Sequence, residues 1–150
     1  MIERIRRAEL ELDPNVLWNR FVALLARGDA ESLDAVQWPA HLAFWYESEV
    51  QNGGHLQFFL NRPDNAPEMT VRALETLGAH SHACILARAV AIWRQSIRTA
   101  PASEQELVEM ALLGEFDALD AEFYALASDL VQILEAHLRQ NRAAYFVIED

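Results

Sequence analysis

Apolar residues recur at spacings of three and four along most of the chain. Leu17, Trp18, Phe21, Leu24 and Leu25 form one stripe, opened by Asn15 as a cap and closed near Gly28. A second stripe begins at Ser32 or Pro39 and carries Leu42, Phe44, Trp45, Tyr46 and Val50 to the pair Gly53-Gly54, where a helix can end and restart. A short helix over 55–60 then stops at the turn-rich string Asn61-Arg62-Pro63-Asp64-Asn65-Ala66-Pro67. Val71, Leu74 and Leu77 mark a helix over 69–77 ending at Gly78, and Ile85, Leu86, Ala89, Ile92 and Trp93 one over 81–97. After Pro101, Ser103 with Glu106 has the form of a capping box ahead of a helix over 107–113. Phe116, Leu119, Phe123 and Tyr124 lead to a last helix from Ser128 or Asp129 to Asn141, with Leu130, Ile133, Leu134 and Leu138 inward. Only residues 144–148 are β-like, and one terminal segment cannot make a sheet. The pattern predicts an all-α, single-domain compact bundle of about six to seven helices, some short.

Composition agrees with one folded domain: 150 residues, 52% hydrophobic and 23% charged. The lone Cys84 cannot form an intrachain disulfide, the N-terminal string lacks the apolar stretch of a secretory signal, and no apolar run spans a bilayer. A cytoplasmic location is the expectation. Charge is the unusual property. Twelve basic residues, all arginine, face 23 acids, for a net charge of −11. Such a field disfavours direct contact with nucleic acid or an anionic membrane and allows a cationic partner; a protein partner with a basic surface is the expectation.

The most distinctive string is Tyr46-Glu47-Ser48-Glu49-Val50-Gln51-Asn52-Gly53-Gly54-His55-Leu56-Gln57-Phe58-Phe59-Leu60-Asn61. Two glycines after Asn52 allow a sharp turn between helices, and Glu49, Asn52 and Gln57 come close enough around that corner to hydrogen-bond one another. A structural corner explains these residues better than a catalytic carboxylate, because Glu49 and amides include no nucleophile. The pattern E-V-x-N-G-G-x-x-Q with a following Asn resembles a bacterial domain-of-unknown-function family that includes a DNA mimic protein, number nineteen of the DNA mimic series. Glu49, Val50, Asn52, Gly53, Gly54, Gln57 and Asn61 carry that resemblance. Ala73-Leu74 with Leu77-Gly78-Ala79, and Leu119-Asp120 with Phe123-Tyr124, extend it over roughly residues 36–146. The resemblance implies an all-helical fold and a protein that offers carboxylates to a DNA-binding protein, typically a helix-turn-helix regulator.

The distribution of charge bears on that role. Residues 101–150 hold eleven acids against two arginines, and Glu104, Glu106, Glu109, Glu115, Asp117, Asp120, Glu122, Asp129 and Glu135 all precede the first arginine, Arg139. At about one charge per 1.7 Å of duplex, these nine carboxylates equal roughly 15 Å of DNA, enough for one recognition helix. The expected contact set is Glu104, Glu106, Glu109, Glu115, Asp117, Asp120 and Glu122. The competing reading is a solvated face, or one paired with Arg72, Arg88, Arg94 and Arg98 inside the monomer or across a homodimer.

Two further classes have some footing. Trp38, Trp45, Tyr46, Phe58, Phe59 and Trp93 could form an adaptor surface, although helical spacing favours core packing. Glu49, His41, His55, His80 or Cys84 would have to converge for a metal-dependent hydrolase; His80 and Cys84 share a helical face while His82 points elsewhere, two ligands where zinc wants three or four. Ordinary histidines and a buried thiol are the simpler expectation. No cofactor, metal or catalytic residue is expected, and the function read from the sequence is binding without catalysis.

Overall fold

The computed structural model describes residues 2–28, 32–62, 64–95, 99–126 and 129–150. Pro63, Ile97, Arg98 and Ser128, which enter the expectations above, lie outside them. Among the described residues nine helices form a bundle, as the apolar spacing predicts, with more pieces than expected: α1 (Arg7–Leu12), α2 (Val16–Arg27), α3 (Gln37–Asn61), α4 (Ala66–Thr76), α5 (His80–Arg94), α6 (Glu104–Leu112), α7 (Asp117–Ala125), α8 (Asp129–Gln140) and α9 (Arg142–Tyr145). None is long and apolar enough to cross a membrane.

The expectation of no sheet needs correction. Two four-residue strands, β1 (Glu3–Arg6) and β2 (Phe146–Glu149), pair in parallel with Ile5 opposite Ile148. The sheet escapes local reading because a parallel pair needs no turn between its strands, and here the partners lie at opposite ends of the chain. Burial of Ile5 in the core and the Arg4–Glu149 ion pair at 2.6 Å hold the pair in register.

Helix α3 is the axis of the molecule, contacting α2, α4, α7 and α8. Neighbours on several sides explain why its apolar residues spread round the helix, whereas α2 and α8 bury one stripe each. Tyr46, Val50, Phe58 and Phe59 of α3 meet Phe21 and Leu24 of α2, Leu74 of α4, Leu86 of α5, Phe123 of α7 and Leu134 of α8 in one core. Phe59 stacks on Trp93 with ring centroids 4.8 Å apart. The two helices expected on either side of Gly53-Gly54 are present as the halves of α3, which bends sharply at these glycines.

Helix α6 differs from the rest. Ser103 caps it, its Oγ accepting the Glu106 N–H at 3.2 Å, while the Glu106 carboxylate reaches back to the Ala102 N–H at 2.7 Å, one residue beyond the usual capping-box partner. None of its residues is buried, and Leu107, Val108 and Leu112 on it, with Leu113 just after it, are exposed.

Candidate functional site

The bend in α3 creates the same problem as a helix terminus: carbonyls before it and N–H groups after it lose their intrahelical partners. Helix α7 answers both. Tyr124 donates its hydroxyl to the Val50 carbonyl at 2.8 Å, on the near side of the bend. Four residues earlier on the same face, Asp120 accepts the His55 N–H at 2.9 Å on the far side, a carboxylate where the second half of α3 begins. The approach is close because residue 54 has no side chain. Gly54 adopts φ 70° and ψ −175°, a conformation essentially confined to glycine, and a Cβ there would lie 2.4 Å from Asp120 Oδ2.

The chain of polar contacts continues inward. His55 Nδ1 donates to Asp120 Oδ1 at 2.5 Å, which leaves Nε2 to accept from the Tyr46 hydroxyl at 3.0 Å. Tyr46 and His55 are fully buried, packed against Phe58, Phe123 and Phe116. Burial, followed by the nearby charge of Asp120, pushes the Tyr46 phenol far above its ordinary value, so it stays a neutral donor. A line of Asp, His and Tyr superficially matches a catalytic relay, but its terminal hydroxyl, that of Tyr46, is sealed in the core. Its chemistry is that of a satisfied polar joint.

On the other side of the bend, Glu49 Oε2 accepts from Gln57 Nε2 at 2.8 Å and from Asn61 Nδ2 at 2.7 Å, and Asn52 donates to Gln57 Oε1 at 3.0 Å. The polar cluster expected from the spacing is therefore formed, and Asn61 joins it. Arg62 adds a cation 3.6 Å from Glu49 Oε1 and lies over the Trp45 ring at 4.1 Å. Beside the cluster, Gly53, Leu56, Gln57 and Leu60 of α3 face Leu107 and Ala111 of α6 across a groove of about 470 Å³.

The acidic residues divide into two groups. Glu104, Glu106, Glu109, Glu115 and Asp117 are exposed on α6 and at the start of α7. Asp120, expected among the contact residues, turns inward to His55, and its place four residues before Tyr124 is the signal that marks this second role. Glu122 is bound by Arg88 through two hydrogen bonds of 2.6 and 2.9 Å, which hold its carboxyl below the ordinary range. Of the other arginines considered as neutralising partners, Arg94 pairs with Glu68 on α4, Arg72 is within 4 Å of no described carboxylate, and Arg98 lies outside the described residues.

The histidines and Cys84 do not converge. His82 is buried against Phe123, His41 donates to the Leu25 carbonyl, and His137 bonds the Tyr145 hydroxyl. Cys84, expected to be buried, is exposed beside exposed His80, since residues four apart on α5 both fall on its outer face. Among the described residues no three of His, Cys, Asp or Glu are grouped to hold a metal ion. The aromatic string is mainly core: Tyr46, Phe58 and Phe59 are buried, while Trp38, Trp45 and Trp93 are half-buried.

Neither a curated protein nor a solved structure matches the chain. A family model described as DMP19-like protein matches residues 31–141, a span that contains the α3 bend, the Glu49 cluster and the α7 segment that closes over them. Two of the three motifs that carry the resemblance, one on α3 and one on α7, meet at a single joint, and the chain belongs to the DMP19-like family.

Proposed function

We propose that this protein is a non-enzymatic acidic binding protein that occupies the basic, groove-reading surface of a DNA-binding regulator, in the manner of a DNA mimic. The observation that carries this reading is the incomplete neutralisation of the acidic segment. Glu104, Glu106, Glu109 and Asp117 remain exposed with no arginine within 4 Å among the described residues, while Arg88 takes up Glu122 and Arg94 is drawn to Glu68. Carboxylates would stand where phosphates stand in an operator, and the regulator's counter-ions would be released on binding. The contact set is narrower than charge alone suggests, because Asp120 belongs to the joint with His55.

Binding of a purified helix-turn-helix regulator should weaken steeply between about 50 and 200 mM salt, and its operator duplex should compete. Changing Glu104, Glu109, Glu115 and Asp117 together to Gln or Asn should weaken binding at low salt by about tenfold or more and flatten the salt dependence. Salt-independent binding, or binding unchanged by the four substitutions, would sink the proposal.

One observation favours a second contribution from apolar contact. Leu112 and Leu113 are 80% and 71% exposed next to the acidic residues of α6. An adaptor acting through this helix would lose affinity on Leu112→Ala and Leu113→Ala at every salt concentration, with the salt dependence unchanged.

A further inference from the structure

A second feature, independent of the acidic face, lies where the start of α2 meets the end of α8. Pro14, Leu17 and Trp18 form one wall of a groove of about 350 Å³, and Leu138, Arg139 and Arg142 form the other, with Glu135 also at its edge. Seven arginines of this chain, Arg4, Arg7, Arg20, Arg27, Arg62, Arg88 and Arg94, stand within 4 Å of a carboxylate. Arg139 and Arg142 do not, among the described residues, although Glu135 precedes Arg139 by the four residues that favour a helical pair. Arg6 and Arg72 also have no carboxylate within 4 Å among the described residues, but Arg139 and Arg142 line one groove together, in a chain of net charge −11.

Two roles are open to these arginines. At the end of α8, Arg139 opposes the partial negative charge of the helix terminus, which accounts for one cation. It does not account for Arg142 lining the same groove from α9, or for an apolar floor beneath both, with Leu138 buried and Leu17 and Trp18 half-buried. A planar apolar body fits against Trp18 and the leucines, and a carboxylate suits the guanidinium pair. We infer that this groove binds a small aromatic carboxylate, the ring lying on Trp18 and the carboxylate held by Arg139 and Arg142. The negative field of the whole chain opposes any anion at long range, but at about 0.1 M salt it is screened beyond roughly 10 Å. Glu135, at the edge of the groove and unpaired with Arg139, places a like charge near the carboxylate of the ligand and so weakens its binding.

The test is titration of the full chain with indole-3-carboxylate and, in parallel, indole-3-carboxamide, followed by NMR through the Trp18 indole N–H. The carboxylate should bind saturably and the carboxamide about tenfold or more weakly. Arg139→Gln and Arg142→Gln should each weaken carboxylate binding about tenfold, and Glu135→Gln should strengthen it about twofold or more. Amide spectra matching the wild type away from the groove establish that the variants are folded. Equal binding of carboxylate and carboxamide, no saturable shift at Trp18, or unchanged binding in the Arg139→Gln/Arg142→Gln double variant would each overturn the assignment.

Discussion

Gly54 shows how one residue can be required by contacts made far along the chain. Its backbone angles alone disfavour any side chain, and Asp120 occupies the space that a Cβ would need. Gly54→Ala should therefore lower unfolding free energy by at least about 2 kcal/mol, through backbone strain and loss of the Asp120–His55 contacts. Urea unfolding measures this, and a loss below about 0.5 kcal/mol would mean that the bend relaxes without cost. The glycine pair is legible in the sequence as a break between helices. The presence of Asp120 against it is not, because sixty-six positions separate the two and no local pattern couples them.

At the scale of elements, α6 stands apart because burial does little to hold it. Short helices are marginal in water without tertiary packing, so this one depends on its cap. Ser103→Ala should cost the helix about 1 kcal/mol and raise amide exchange along α6, while α3 and α5 keep their protection. Uniform loss of protection across the molecule would show instead that α6 is integral to the core. Its cap is recognisable from Ser103 and Glu106 alone, since capping is chemistry between near neighbours. The exposure of Leu107, Val108 and Leu112 is not, because apolar spacing states that a helix has an apolar face without stating what covers it. Strand β1 is the opposite case: its partner gives it stability, and nothing within four residues announces that partner.

Over the whole molecule, buried and half-buried histidines link stability to pH. Burial depresses the values of His41, His82 and His137 below the ordinary 6.5. The unfolded chain consequently binds protons that the folded one resists, so their contribution is complete above about pH 6.5 and declines as pH falls through the folded values. Glu47, raised by burial, acts with the opposite sign in the more acidic carboxylate range. The urea midpoint should fall between about pH 7.5 and 5.5, and His82→Gln should make that fall shallower. A midpoint that rises over this interval would contradict the assignment. Charge also acts at this scale, but with a different outcome: Arg88 removes Glu122 from the acidic face, whereas Arg94 goes to Glu68 and leaves that face alone.

Helical class, the break at Gly53-Gly54, the polar cluster of Glu49, Asn52 and Gln57, and the net charge are all determined by the sequence itself. Each rests on composition or on interactions among residues a few positions apart. Tertiary structure alone decided that the chain's two ends pair as strands, that Asp120 serves His55 instead of the surface, and that Cys84 is exposed. It also decided which arginines neutralise which acids. Those outcomes depend on distances between elements, and a periodic pattern specifies the faces of helices without specifying which faces meet.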